Sequence, residues 1–375
     1  MSDSASKLGP LVDRHKLDFH PLAEREDRVY IERDLVPLDA EPKPLTDNGA
    51  KVVAEAAERI RAARAAGKAR MLTFGAHAIK NGLGRVMAKL VEDGWITHLA
   101  TNGAGIIHDW EFAYQGHSSE HVQKNVEQGK FGMWIETGYY LNLAINLGAY
   151  RGMGYGESVG RMVEEEGLEI PSRKDLEMAV ANAFVANQPE RAAAAADLMH
   201  MVQSMDIAPG WMRVEHPFKE YGLQAAAWRA GVPFTSHPMF GHDIIYLHPM
   251  NMGAAIGRTA ERDFLSFAHA VSQLEGGVYL SVGSAVMSPM VFEKSLSMAQ
   301  NLALQCGEKL TNHHMVVVDL QESHWDWTQG EPPEKTPDYY LRFNKSFNRM
   351  GGHLRYLSAD NRDFLLSLMR ALAQG

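Results

Sequence analysis

Four short segments of the chain gather residue types that bind and transform polar small molecules. FGAHAIKNGL (Phe74–Leu83) places Gly75 and Ala76, over which a backbone can approach a ligand, before His77 and Asn81, which offer hydrogen bonds. The plain alternative is a strand-to-helix turn with a capping Asn. TNGAGIIHDWE (Thr101–Glu111) sets Asn102, Gly103 and Ala104 ahead of three ionisable groups, His108, Asp109 and Glu111. Two glycines around one alanine suit a tight turn against a pyrophosphate, but no third Gly completes a G-x-G-x-x-G fingerprint. SHPMFGHDIIYLHPMN (Ser236–Asn251) carries Asp243 with His237, His242 and His248 nearby. Such a carboxylate either caps a turn or holds a cationic or hydroxyl-bearing ligand. If the run after it is a strand, His242 and His248 lie roughly 20 Å apart and cannot share one metal ion. VGSAVMSPMVFEKS (Val282–Ser295) is again apolar run, glycine, small residues, then helix, with Gly283 and Ser284 at the turn.

The elements that would position these groups are short apolar runs alternating with helix-length segments. The runs are Met71–Phe74, Ile96–Thr101, Val232–His237, Asp243–His248, Val278–Gly283 and Met315–Leu320. Most are continuous and not alternating, as for strands buried on both faces of a parallel sheet. Leu83–Asp93, Gly257–Leu274 and Pro289–Gln305 have helical length and lie between them. This rhythm predicts an α/β fold with a doubly wound, mainly parallel sheet. In open sheets of that kind, ligands sit beyond the carboxyl ends of the strands, where all four segments fall.

Residues 1–47, rich in Pro and charge, are expected to form an N-terminal arm, with one α/β domain over 48–375. The stretch 111–208 shows no strand pattern and is expected to be a helical insertion. KVVAEAAERIRAARAAG, from Lys51, is helical in period and stops at Gly67. GMGYGESVG (Gly152–Gly160) follows a helical pattern, so a helix–helix turn is expected there in preference to a phosphate loop.

Composition narrows the function classes. The 375 residues are 45% hydrophobic and carry a formal charge of −9, which argues against a general nucleic-acid or anionic-membrane binder. With Cys306 as the only cysteine, intrachain disulfides and cysteine-based zinc clusters are ruled out, which fits a reducing compartment. The polar start MSDSASKLGPLVDRHK is not a secretory signal, and no run of about 18 apolar residues is present. A cytoplasmic location is expected.

In this order, the four segments resemble deoxyhypusine synthase. GVPFTSHPMFGHDIIYLH is similar to that family's segment ending in Gly-Asp before an apolar run, and GGVYLSVGSAVMSPMVFEKSLSMAQN to its glycine-rich strand-to-helix turn. The resemblance implies an NAD-binding fold of deoxyhypusine synthase type, assembled as a homotetramer. It implies NAD contacts at Ala76, His77, Asn81, Asn102, Gly103, Ala104, His108, Gly283 and Ser284, with Asp319, Leu320, Gln321 and Asp360 approaching the cofactor. It assigns Asp243 to an amine substrate and makes Lys345, in RFNKSF, the candidate for the family's imine-forming lysine. The chain departs from the family where Ser288-Pro289 replaces a histidine and where His108 replaces a glutamate. A divergent member with a changed reaction is therefore expected.

The resulting expectation is an NAD-dependent transferase or oxidoreductase acting on a small amine, polyamine or amino acid, with Asp243 holding the ammonium group. His108 or His77 would serve as acid/base and Lys345, if desolvated, as a Schiff-base former. A non-catalytic NAD-binding or assembly protein and a metal-dependent hydrolase remain the alternatives.

Overall fold

Six parallel strands form the centre of the computed structural model, which describes residues 9–374. They are β1 (Arg70–Phe74), β2 (His98–Thr101), β3 (Phe234–Ser236), β4 (Val278–Val282), β5 (His314–Asp319) and β6 (His353–Ser358). Their spatial order is β6-β5-β4-β1-β2-β3, and every pairing is parallel. Read from the other side this is 3-2-1-4-5-6, so the direction of winding reverses between β1 and β4. The doubly wound, mainly parallel α/β sheet expected from the sequence is present.

Side chains alternate between two apolar faces, which is why the strand sequences read as continuous hydrophobic runs. Leu72, Phe74, Leu280, Val282, Val316 and Val318 point to one face; Met71, Tyr279, Met315 and Val317 point to the other. The first face is covered by α1 (Asp47–Ala65), α3 (Gly84–Glu92) and the C-terminal helix Asn361–Ala373. The second packs on the long helices Gly253–Ser272 and Met287–Gln305 through Phe267, Val271, Phe292 and Leu296. α1 is capped by the Thr46 hydroxyl, which accepts from the Gly49 amide, and stops where Gly67 turns left-handed. A short α2 (Ala76–Lys80) leaves β1, and α4 (Gly103–Gln115) leaves β2.

Three local expectations need correction. Asp243–His248 is not a strand: Ile244–Leu247 form a 3-10 turn, with Phe240 stacked on Tyr246 at 4.5 Å between centroids. A six-residue apolar run carries too little period to separate the two conformations. The sixth strand is instead His353–Ser358. It lies at the sheet edge with its ends exposed, so its polar residues mask the strand pattern. The stretch 111–208 is mostly helical but holds two four-residue strands. His117–Glu120 pairs antiparallel with Asp27–Tyr30, and Gly167–Ile170 with Gly210–Arg213. HSSE has no apolar alternation to announce a strand.

The glycines of 152–160 behave as a helix–helix turn. Gly152 caps the helix Ile135–Arg151 in the left-handed region, and the next helix is Tyr155–Glu165. A Cβ on Gly156 would sit 2.0 Å from the Phe234 carbonyl oxygen, so this glycine serves close packing against β3.

Residues 1–8 of the expected arm lie outside the described residues. The rest of the arm runs over the helical block: Arg14 donates to the Tyr246 and Asn251 carbonyl oxygens, and the Leu22 amide donates to Glu136. Among the described residues, no helix is long and apolar enough to cross a membrane.

Candidate functional site

Because all six strands run the same way, the turns singled out above share the carboxyl edge of the sheet. Gly75 and Gly283, leaving β1 and β4, flank the point where the winding reverses. They are in close contact: the Gly75 amide donates to the Val282 carbonyl at 3.2 Å, and a Cβ on Gly75 would lie 2.1 Å from the Gly283 oxygen. Gly283 has φ +60°, and a Cβ there would strike the Asn361 amide at 2.4 Å. Only glycine fits both demands. Asn361 Oδ1 is buried beside this turn with no hydrogen-bond partner. Ser284 is buried, its hydroxyl accepting from the Ser288 amide, while Ala285 and Val286 are exposed.

The other expected cofactor residues lie along the same edge in different states. Ala76 is half-buried; His77 and Asn81 are exposed on α2, where Asn81 is the C-cap. Asp319 accepts from the Gln321 amide at the end of β5, Leu320 is exposed, and Asp360 caps the C-terminal helix by accepting from the Arg362 amide. The start of α4 is filled by the chain's own groups. The Asn102 side chain accepts from the Gly105 amide, and the Asp243 carboxylate lies against Gly103 and the Ala104 amide. A Cβ on Gly103 would fall 2.1 Å from Asp243 Oδ2.

Asp243 and His108 are brought together. Both line a cavity of about 170 Å³ whose wall is one face of α4: Ala104, Ile107, His108 and Glu111. Asp243 Oδ2 is buried outside hydrogen-bond geometry; burial pushes its carboxyl up to about 6, opposed in part by the nearby Tyr246 hydroxyl, His242 and the Ala104 amide. Two phenols, Tyr155 and Tyr246, carry buried, unpartnered hydroxyls near it; burial first and then Asp243 raise both above the usual phenol range.

His108 is held by a chain of bonds that fixes its tautomer. Ser118 donates its hydroxyl proton to Glu111 Oε2 (2.5 Å) and lies 2.7 Å from His108 Nδ1. With its only proton committed to the carboxylate, the Ser118 oxygen accepts from Nδ1–H, leaving Nε2 unprotonated. Burial presses the imidazole down to about 4, so it is neutral at pH 7. Glu111 is anchored by Arg25 through two bonds of 2.7 and 2.8 Å, and Arg25 also pairs with Asp27. Asp109, the third ionisable group of that segment, faces away and accepts from the Leu223 and Gln224 amides as a helix cap.

Lys345 is not part of this cavity. Its ammonium sits over the Tyr339 ring at 3.2 Å and 3.9 Å from Glu331, on the short helix Arg342–Asn348. The lysine that lines the cavity is Lys80. It stands in the first segment, one turn beyond Ala76, and helical spacing is the signal in the sequence that points to it. Tyr246 was missed because, three residues from Asp243, it shares a side with it only in a 3-10 turn.

A larger cavity of about 660 Å³ lies outside the sheet, against β3 and the glycines of 152–160. Its buried acid, Asp263, already accepts from the Gly156 and Ser236 amides. Among the described residues no group of three or more His, Cys, Asp or Glu side chains is placed to hold a metal ion.

The fold and this edge define a Rossmann-like α/β protein. No protein-family model matches the chain, and no curated protein does. Solved structures similar to it include ArgZ, an arginine dihydrolase from the ornithine–ammonia cycle in cyanobacteria, at 15% identity and TM-score 0.42 over 86% of this chain. AgrE in ternary complex with ornithine and NAD+ matches at 14% identity and TM-score 0.42 over 88%. A conserved LOR/SDH protein from Methanococcus maripaludis S2 matches at 14% identity and TM-score 0.43, over 90% of this chain and 74% of that one. The chain spans about a third of the length of ArgZ and AgrE, 33% and 34%.

Proposed function

We propose that the chain is an NAD-binding enzyme that oxidises or transfers from a small amine, with the dinucleotide at the β1/β4 crevice and the amine in the Asp243–His108 cavity. The observation that carries this is the reversal of strand order between β1 and β4, with Gly75 and Gly283 at their carboxyl ends. Doubly wound sheets of this order bind dinucleotides at that crevice. Gly75, Ala76, Gly283 and Ser284 are the residues that would hold it. Ala104 lines the amine cavity, whereas Asp319, Leu320, Gln321 and Asp360 follow β5 and β6 at the same edge. Bound NAD would supply a hydride acceptor. A deoxyhypusine synthase-like ancestry and a homotetramer belong to the same proposal.

The chain's own groups divide the remaining work. The Asp243 carboxylate, with one oxygen unpartnered, pairs with the substrate ammonium. Of the two candidate bases it is the stronger, since it stands at about 6 and His108 at about 4. His108 Nε2 therefore acts as a hydrogen-bond acceptor that orients the substrate N–H. His77, exposed on α2, lies close enough to act on the charge of His108. Orientation of this kind lowers the barrier without adding charge.

A pH profile tests the assignment. Below about 6 Asp243 is protonated, so amine affinity is expected to fall roughly tenfold per pH unit there and to level off above it. A flat profile between pH 5 and 7 would remove Asp243 from amine binding.

A further inference from the structure

The cavity contains several charged groups, and most are already paired. Arg25 is held by Glu111 and Asp27. Glu120 accepts from the Asn125 side-chain amide, the Gly132 amide and the Trp134 indole. Besides His242, which lines the cavity and acts on the charge of Asp243, two remain. Asp243 forms no ion pair, and Lys80 forms neither an ion pair nor a hydrogen bond with any described residue.

These two opposite charges stand at different points along α4. Asp243 rests on Gly103 and Ala104 at its start, while the Lys80 ammonium is close enough to His108 to act on its charge. Ala104 and His108 are one turn apart, roughly 6 Å along the helix axis. The cavity between them, about 170 Å³, has room for roughly five or six water molecules' worth of ligand.

Building on the amine site proposed above, we propose that Lys80 selects the substrate, making the cavity a receptor for a small zwitterion whose ammonium meets Asp243 and whose carboxylate meets Lys80. A polyamine would set a second ammonium against Lys80, a like-charge contact in a partly desolvated site, which disfavours it. Burial and the neighbouring Arg28 both oppose a proton on Lys80, so an arriving carboxylate relieves a positively charged corner. In this account Lys80 is a specificity-determining residue; no bond to it is made or broken.

Calorimetric titration of the full chain without nucleotide tests this directly, using a straight-chain diamino acid and the diamine that lacks its carboxylate. The wild-type chain is expected to bind the diamino acid at least about tenfold more tightly. Lys80→Met is expected to bring the ratio of the two affinities close to one, and Lys80→Arg to keep most of it. Unchanged melting curves for both variants would exclude a folding defect as the cause. Equal wild-type affinities, an unaltered ratio in Lys80→Met, or binding of neither ligand would overturn the proposal. Because no nucleotide is present, failure here is separate from failure of the dinucleotide crevice, which is read by nucleotide binding alone.

Discussion

Asp243→Asn is expected to lower amine-dependent NAD+ reduction by roughly 30- to 4,000-fold, the equivalent of about 2–5 kcal/mol for losing one partner of a desolvated charge pair. The same substitution is expected to make the protein more stable. Asp243 is buried with an unpartnered oxygen, and its carboxyl is raised to about 6. Between the unfolded value near 4 and the folded value near 6, the folded state binds more protons than the unfolded one, so stability falls as pH rises through that window. Above it the wild-type chain carries a penalty of about 2–3 kcal/mol that asparagine lacks. Urea unfolding at pH 5 and pH 7.5 would show the stability advantage of the variant over the wild type growing at the higher pH, since Asp263, His108 and the other shifted buried groups move both proteins alike. Lower activity with higher stability is the mark of a strained functional group. A variant that is both inactive and less stable would make Asp243 a structural cap instead.

The second large effect is expected at Glu111. Its side chain and that of Arg25 are each 1% exposed, and the pair is bidentate. Glu111 also accepts from Ser118 and Thr137. Burial opposes ionisation, but the attraction of Arg25 outweighs it and holds the Glu111 carboxyl below its usual range. Its stabilising contribution is therefore present at neutral pH and lost only as pH falls through that lowered value. Glu111→Ala leaves a buried guanidinium with Asp27 as its remaining partner and is expected to cost about 3–5 kcal/mol in denaturant unfolding. It also frees Ser118, so His108 loses its fixed tautomer. Replacing Arg25 and Glu111 together by methionine is expected to cost less than Glu111→Ala, since the guanidinium leaves with its carboxylate and the buried Asp27 keeps Gln115 and His117 as partners. If the double variant were the less stable one, the pair itself would be the stabilising element.

Much of this arrangement is legible in the sequence. Five of the six central strands follow from buried apolar runs such as VYLSV and HMVVVD, and parallel strands with helical crossovers oblige their turns to share an edge. That is why Gly75, Asn102 and Gly283 could be placed together from spacing alone. His108 stands out because it follows a small-residue turn, and Asp243 because it is a carboxylate opening an apolar run. What could not be read was contact between distant segments. Arg25 reaches Glu111 across 86 positions, and nothing local in PLAERED announces a buried guanidinium. The roles of Asp109 and Glu111, two residues apart, differ because they face opposite sides of α4. The lysines show the same limit: Lys345, implied by the resemblance, stands by Tyr339 and Glu331, whereas Lys80 enters the cavity through the packing of α2 on α4.

The proposed dinucleotide site lies where β1 and β4 part. Amide hydrogen exchange of the full chain, with and without saturating NAD+, tests it most directly. Saturable binding of one nucleotide per chain is expected, with slowed exchange concentrated at residues 75–78 and 283–286. No binding, or protection confined to the groove at residues 152–160, would contradict it.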